Sequence, residues 1–569
     1  MMNKKKIINT LETIAIYLEL KGENPFKIAA FRKAAAALEN DPRSIEEIDD
    51  VTKIKGIGKG TSAVIHDLLQ TGESSDLVSL KADVPAGLPP LLKIPGLGGK
   101  KIAKLYKELG IDSATSLKEA CESGKVSELA GFGKKTVEKL LKELETFGKR
   151  SERHPVWQLE ENVRDINELL ADIAEITRFS VAGSFRRVTE TSKDIDFIIA
   201  SAEPLIVKEK LLATLPYEEI IAAGETKISV VLAGDDAANA DFRIVSDAEY
   251  PTALHHFTGS KEHNVRMRQI AKERGEKISE YGVEQADGSV LTFDTEQAFF
   301  NHFALPFIPP TLRTGHAEFE RHAEIPKLVT LADIRSDLHM HTTWSDGAHS
   351  VREMGEALIA RGYDYGVITD HSHYLRVANG LTPERLEQQK QEIYAFNHAH
   401  PEFQLLRGTE MDILPDGSLD FSDDVMASLD FVIASIHSSF SQPQAQIMER
   451  LHNALKNPHV DMIAHPTGRV IHQRDGYNPD VAQLIAWAKE YGKILELNAN
   501  PYRFDLCVAH LEMAAEAGVP VAINTDAHAT EQLRYMDIGT KYAQKAWLYK
   551  DMIVNTWSFE QFMAFLNNK

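Results

Sequence analysis

Six short motifs in the last 235 residues place nine metal-ligating side chains at equivalent positions. They read DLHMHTTWSDG (337–347), TDH (369–371), GTE (408–410), SIH (435–437), AHP (464–466) and TDAH (525–528). Each closes an apolar run, where a buried strand would empty into a loop. The candidate ligands are His339, His341, Asp346, His371, Glu410, His437, His465, Asp526 and His528. His339 and His341 stand two apart and so share one face of a strand. Nine ligands can hold up to three divalent ions if one carboxylate bridges, and Glu410 is the expected bridge. Imidazole with carboxylate suits Zn2+, Mn2+ or Fe2+. Such a centre generates hydroxide and neutralises phosphate oxygens, so hydrolysis of a phosphate ester is the expected chemistry. His373 is a rival ligand, and Arg469 and Arg503 are candidate phosphate contacts.

A second constellation lies upstream. GSFRR (183–187) precedes KDIDFIIA (193–200), and ADFRIV (240–245) follows. Asp194 and Asp196 share a strand face, and a neighbouring strand can bring Asp241 beside them. Three converging carboxylates cannot all ionise without cations, which suits two Mg2+ or Mn2+ and phosphoryl transfer. Ser184 and Arg187, at the turn before the strand, are placed to hold phosphates.

Glycine marks a third pattern, in the first 150 residues: KIKGIGKG (53–60), KIPGLGGKKIAKLY (93–106) and LAGFGKKTVEKL (129–140). In each, an apolar residue precedes Gly-x-Gly and a lysine-bearing amphipathic helix follows. The pairs Gly56/Gly58, Gly96/Gly98 and Gly131/Gly133 let the backbone turn and expose N–H groups at a helix start, which suits a phosphate oxygen. Lys59, Lys100 and Lys134 follow at once. The three resemble helix-hairpin-helix motifs, and the resemblance implies contact with a DNA backbone without readout of sequence.

The elements that must position these residues follow from periodicity. From 336 onward, strands and helices alternate about seven times, with strands expected at DLHMH, YGVITDH, FQLLRGTE, FVIASIH, VDMIAH, KILELNAN and VPVAINTD. Polar residues at their C-terminal ends predict a closed or nearly closed parallel barrel. A helix from 156 and alternating strands at RFSVAG, KDIDFIIA, KISVVLA and ADFRIV predict an α+β unit with an antiparallel or mixed sheet. The stretch PFIPPTLRTG (306–315) reads as the approach to a linker. At 569 residues the chain is too long for one core. Its net charge of −21 is uneven: residues 1–150 carry 25 Lys+Arg against 21 Asp+Glu, the remainder 38 against 63. A DNA track therefore belongs mainly on the N-terminal third. No apolar run approaches membrane-spanning length, and the two cysteines, Cys121 and Cys507, have no partner spacing, so a cytoplasmic, reducing compartment is expected.

Gly183-Ser184, the Asp194/Asp196 pair and Asp241 together resemble the nucleotidyltransferase superfamily. HHFTGSKEHNVRMRQIAKERG (255–275) narrows the likeness to family X DNA polymerases, the polymerase beta relatives. The resemblance implies that Phe257 and Gly259 lie near the incoming sugar, that Asn264 reaches the nascent base pair and that Arg268 reaches the template. His256 stands where polymerase beta has a tyrosine, and Lys193 replaces a glycine. NPFKIAAFRKAAAAL (24–38) and the first hairpin resemble the small domain of polymerase beta, which excises deoxyribose phosphate through a lysine. Here Val64 takes that lysine's place and Gly60 that of another, so no lyase activity is expected there; Lys27, Lys55 or Lys59 could still bind a 5′-phosphate. The barrel resembles the PHP (polymerase and histidinol phosphatase) domain, with every ligand position filled.

The likeness covers essentially the full chain and has the arrangement of bacterial and archaeal PolX enzymes. It implies a multidomain protein with helix-hairpin-helix N-terminal domains, a nucleotidyltransferase palm and thumb, and a distorted (β/α)7-like TIM barrel. The expected boundaries are 1–80 (small helical domain), 81–150 (helix-hairpin-helix fingers), 151–248 (palm), 249–315 (thumb), 316–334 (linker) and 335–569 (PHP). The implied activities are short-gap filling in DNA repair and a metal-dependent 3′→5′ exonuclease, with abasic-site incision as a further possibility. Gapped or primer-template DNA and dNTPs are the expected partners, with no membrane and a monomeric state. Two competing readings are a PHP-type phosphoesterase tethered to DNA and a nucleotidyltransferase with a non-DNA acceptor; a non-catalytic scaffold is the weakest.

Overall fold

Helical spacing organises the N-terminal third. Ile7, Leu11, Ile14 and Leu18 line one side of the helix Lys4–Lys21 and are buried against Phe31, Leu38, Val64 and Leu68. Gly22 ends that helix at φ +73°, and the Asn24 side chain accepts the Phe26 N–H at the start of Pro25–Glu39. A second cluster, including Leu91, Ile102, Leu105, Phe132 and Leu140, joins the helices Gly99–Leu109 and Lys134–Thr146. The computed structural model describes residues 4–39, 45, 48, 50–85, 87–92, 94, 97–146, 153–234, 238–321 and 325–567. The chain forms two compact units, one of Met1–Ser151 and one from Glu152 to the C-terminus, the short stretch Arg376–Asn379 apart.

The second unit begins with a five-stranded sheet. In chain order its strands are β1 (Arg178–Val181), β2 (Asp194–Ala200), β3 (Tyr217–Ala223), β4 (Lys227–Leu232) and β5 (Asn239–Val245). They lie in the order β1-β2-β5-β4-β3; β2 and β5 are parallel and every other pair antiparallel, so the sheet is mixed. Alternation buries Ile195, Phe197, Ile199, Phe242 and Ile244 against Leu159, Val163 and Leu170 of the helix Val156–Ala171. On the other face, Ile198 and Ala200 pack against Ala253 and Leu254 of the helix Tyr250–Thr258. Residues 306–315, expected to approach a linker, are instead packed. Ile308 and Leu312 are buried, and buried Arg313 donates to the Ile308 carbonyl (3.0 Å) and to Glu296 Oε1 (2.9 Å). Glu318 beyond them is also buried, paired with His263 Nδ1 at 3.0 Å.

All seven predicted barrel strands form: β6 (Ser336–Asp337), β7 (Tyr365–Ile368), β8 (Gln404–Asp412), β9 (Phe431–Ser435), β10 (Met462–Ile463), β11 (Ile494–Asn498) and β12 (Val521–Asn524). They are parallel and adjacent in chain order. The first and last strands meet just beyond their ends, where the His341 N–H donates to the Ala527 carbonyl (2.8 Å), nearly closing the barrel. Inside, Leu338, Val367, Ile433, Met462 and Ala522 form one apolar cluster with Phe562 of the last helix, Phe559–Asn567. Phe562 is fully buried, stacked on Tyr365 at 5.2 Å and 5.5 Å from Phe431, the residues that begin β7 and β9. It thus plugs the end where the strands start, opposite the ligands. Phe562→Ala is expected to destabilise the barrel by ~3–5 kcal/mol, the usual cost of a vacated aromatic site. Urea denaturation checks this, and an unchanged midpoint would contradict the plugging role.

Candidate active sites and metal centres

Strand register assembles the acidic site. Asp196 on β2 lies directly beside Asp241 on β5, and Asp194 occupies the same face one pleat away. Gly183, at φ +59°, begins a single helical turn against this pair, and a Cβ there would fall 2.1 Å from Asp196 Oδ2. No side chain fits that position. Burial, then the charges of Asp194 and Asp241, push the Asp196 carboxyl up to about 7; burial and Asp241 raise Asp194 in the same direction. In the absence of cations the site therefore holds a proton that a divalent ion would displace.

Around this triad the expected contacts are partly prearranged. The Ser184 hydroxyl is hydrogen-bonded to that of Ser192. Arg187 is half-buried, and that desolvation lowers its pKa; it donates to the Thr258 carbonyl, and adjacent Arg186 donates to the Thr258 hydroxyl (2.7 Å) and pairs with Glu296 (2.6 Å). Gly259, at φ +65°, lies close enough that a Cβ would approach Arg187 Nη1 at 3.3 Å. Phe257 lies under the Arg243 guanidinium (4.9 Å). Asn264 donates to the His256 carbonyl (2.7 Å), leaving its own carbonyl oxygen buried without a partner. Arg268 is exposed on the helix Lys261–Glu273. Sequence reasoning missed Arg243 and Arg153. Arg243 stands two residues after Asp241 on the same strand face, so alternation carries a signal for it. Arg153, whose charge lowers the Asp194 pKa and which is bonded to Thr191, carries none.

In the N-terminal unit, Gly58 and Gly98 are the residues from which the helices Lys59–Thr71 and Gly99–Leu109 start. Gly133 plays the same part for Lys134–Thr146, its carbonyl accepting from the Thr136 and Val137 N–H groups. Gly56 (φ +123°) and Gly131 (φ +97°) make the turns. Lys59 and Lys100 are exposed; Gly96 and the Lys134 side chain lie outside the described residues. Val64 is buried in the first helical core.

In the barrel the nine expected ligands converge on Glu410. Its carboxylate lies 2.7 Å from His465 Nε2, 3.0 Å from His371 Nδ1, 3.2 Å from His437 Nε2, 3.3 Å from His339 Nε2 and 3.5 Å from His341 Nε2. Asp526 Oδ1 lies 3.1 Å from His341 Nε2, and Asp346 Oδ1 lies 3.4 Å from His528 Nε2 and 3.6 Å from His371 Nε2. Three groups close enough to share an ion result: His341/Asp346/His371/His528, His339/His341/Glu410/Asp526 and His371/Glu410/His437. Glu410 belongs to two of them, the geometry of a bridging ligand. His465 sits outside these groups, but against Glu410. Burial alone would raise Glu410, yet His437, His339 and His371 hold it well below the usual carboxylate range. Burial opposes a charge on His437, but Glu410 and Asp412 lift it to about 10, while burial, His528 and His371 push His341 down to about 3.

Buried acids behind the ligands orient them, and these were not anticipated. Glu496, fully buried, lies 2.7 Å from His339 Nδ1 and accepts the His465 N–H at 2.6 Å, so His339 presents Nε2 to the centre. Asp412 does the same for His437 at 3.2 Å. It stands two residues after Glu410 on one strand, a spacing that alternation makes visible. Arg503 Nε lies 3.7 Å from Asp526 Oδ2, and its Nη1 is buried without a hydrogen-bond partner. Arg469 is instead paired with Glu190 at 2.8 Å, and His373 is exposed, outside the three groups.

A mixed sheet carrying an acidic triad beside a Gly-Ser turn, with helical hairpins ahead and a histidine-rich barrel behind, defines a nucleotidyltransferase core joined to a phosphoesterase-type barrel. Family models match along the chain: a helix-hairpin-helix domain (residues 2–74), a SAM-like helix-hairpin-helix tandem (88–146), the DNA polymerase beta thumb (253–314) and the PHP domain (337–500). The DNA polymerase/3′-5′ exonuclease PolX of Bacillus subtilis (strain 168) is 56% identical over 566 residues, 99% of each chain. Over the barrel alone, a "probable phosphatase" of Thermoanaerobacter sp. (strain X514) is 28% identical across 39% of this chain and 89% of its own. Another, of Acetivibrio thermocellus, is 29% identical across 41% of this chain and 95% of its own. The chain belongs to the PolX family, in which a polymerase beta-like core precedes a PHP domain.

Two predictions test these centres. Because Asp196 is raised to about 7, its ionisation penalises the folded state increasingly from the unfolded carboxylate pKa up to that value. In chelator, Asp196→Asn should raise the thermal midpoint at about pH 8, with the gain vanishing by about pH 4; a loss at the higher pH would contradict the repulsion. Glu496→Gln should weaken barrel metal binding ~10–100-fold, the typical cost of a lost partner behind a histidine ligand. Metal retained after dialysis is the readout.

Proposed function

We propose that the chain fills short gaps in DNA during repair and removes 3′-terminal nucleotides with a metal-dependent exonuclease in its barrel. The observation that carries this reading is that both ligand sets are complete within one chain, each gathered at one strand-end face. The relative named DNA polymerase/3′-5′ exonuclease, matched over 99% of its length, supports it.

Both sets of donors fit divalent ions. Two Mg2+ or Mn2+ in the palm, and up to three Zn2+, Mn2+ or Fe2+ in the barrel, would supply Lewis-acid activation and phosphate neutralisation. Asp194, Asp196 and Asp241 hold the palm ions; His339, His341, Asp346, His371, Glu410, His437, His465, Asp526 and His528 hold those of the barrel. Ser184 and Arg187 receive the triphosphate of a dNTP, Phe257 and Gly259 its sugar, and Asn264 exchanges its bond to the His256 carbonyl for the nascent base pair. Arg268 contacts the template. The hairpins grip gapped or primer-template DNA through Gly56, Gly58 and Lys59, Gly96, Gly98 and Lys100, and Gly131, Gly133 and Lys134. We assign the domains to 1–80, 81–150, 151–248, 249–315 and 335–569, with 316–334 as connection. Val64, buried and without an amine, supports the absence of lyase chemistry at that position. Among the described residues no helix is long and apolar enough to cross a membrane; a cytoplasmic monomer is our reading. A second reading, a phosphomonoesterase in the barrel, is favoured by the phosphatase relatives.

A 5′-labelled primer on a one-nucleotide-gapped duplex, with Mn2+, separates these readings. Lengthening is expected with dNTPs and shortening without them. Asp196→Ala should lose only the lengthening and His341→Ala only the shortening, each by about 10³-fold, the worth of several kcal/mol of charge stabilisation. A primer that never lengthens removes the polymerase reading. One that lengthens but never shortens, while the barrel cleaves a phosphate monoester, favours the second.

A further inference from the structure

The loop that joins the Gly-Ser turn to the acidic strand does not rest on the palm alone. Val188 is 3% exposed, and it belongs to the barrel's own apolar core, with Tyr477, Phe504 and Tyr542 among its members. It is held there at φ +53°, a conformation β-branched residues seldom adopt. Two residues on, Glu190 receives three bonds from the barrel: Arg469 at 2.8 and 3.3 Å and the Tyr542 hydroxyl at 2.6 Å. Tyr542 is itself fully buried, stacked parallel to Phe504 at 4.3 Å. One turn along the same helix, Tyr535–Lys545, the half-buried Lys545 ammonium donates to the Arg187 carbonyl at 2.9 Å. Within the loop, the Thr189 N–H and hydroxyl both return to the Ser184 carbonyl. Residues 187–190 are thus fastened to the barrel at the main chain of Arg187, the side chain of Val188 and the carboxylate of Glu190.

We infer that the barrel is a working part of the polymerase's nucleotide-binding site: Tyr542, Arg469 and Lys545 are positioning residues that hold Ser184 and Arg187 in place for the incoming triphosphate. This rests on the polymerase reading above. It follows physically from the short path between clamp and site, because displacing a substrate-holding group by an ångström weakens its hold steeply. Glu190 lies outside both sets of metal ligands, so it can be altered without touching either.

The test is single-nucleotide gap filling by the full-length chain carrying Glu190→Gln, with exonuclease activity on single-stranded DNA measured on the same preparation. We expect KM for dNTP to rise about tenfold with kcat changed far less, since the loss is one of binding geometry, while the exonuclease rate stays near that of the parent. Glu190→Asp, which keeps the charge for Arg469, should recover most of the KM. An unchanged KM with intact exonuclease would overturn the inference. Should Glu190→Gln lose both activities, Lys545→Met decides: it removes the ammonium that bonds the Arg187 carbonyl and leaves the bonds of Glu190 to Arg469 and Tyr542 in place, and a raised KM for dNTP supports the clamp while a parental KM overturns it. If the parent chain itself never extends a primer, the polymerase reading fails and not the clamp.

Discussion

Charge that cannot be buried without a counter-ion is the constraint on which the rest of this structure depends. Twice the chain gathers acidic side chains where water is scarce, and the two answers differ. In the palm, Asp196 is driven up to about 7 because its neighbours are also carboxylates and the nearest arginines, Arg187 and Arg243, offset only part of the repulsion. In the barrel, Glu410 is ringed by imidazoles and kept ionised. Imidazole and carboxylate donors are mixed there, whereas the palm offers carboxylate oxygen alone.

Strand geometry makes both arrangements possible. A parallel register sets Asp196 beside Asp241, and the seven barrel strands end on one face so that ligands far apart in sequence meet within a few ångströms. Backbone freedom is spent where the chain must approach a carboxyl group: Gly183 beside Asp196 has no alternative. The opposite end of the barrel is filled with apolar side chains and closed by Phe562, so chemistry and stability are divided between the two ends.

Much of this was legible in the sequence, for reasons that can be stated. The barrel candidates announce themselves because each closes an apolar run; eight of them fall into groups close enough to share an ion, and His465 lies against Glu410. Two-residue spacing placed Asp194 and Asp196 on one face; of the two sheets the pattern allowed, antiparallel or mixed, the mixed one forms. Glu496 escaped notice because an acid within an apolar strand acquires meaning only when its partner, His339, is known. Arg469 was legible as a cation but not as the partner of Glu190, 279 residues earlier. The packing of residues 306–315 was hidden for a similar reason: prolines advertise a break in regular structure and say nothing about a buried Arg313 bound to Glu296.

Anomalous diffraction from crystals grown with Mn2+, gapped DNA and a non-hydrolysable dNTP analogue tests the central claim, two separate ion centres in one chain, most directly. The account predicts Mn2+ density bounded by Asp194, Asp196 and Asp241, and a second, separate group of peaks in the barrel with Glu410 shared between ions. Density confined to one centre, or barrel ions that Glu410 does not touch, would contradict it.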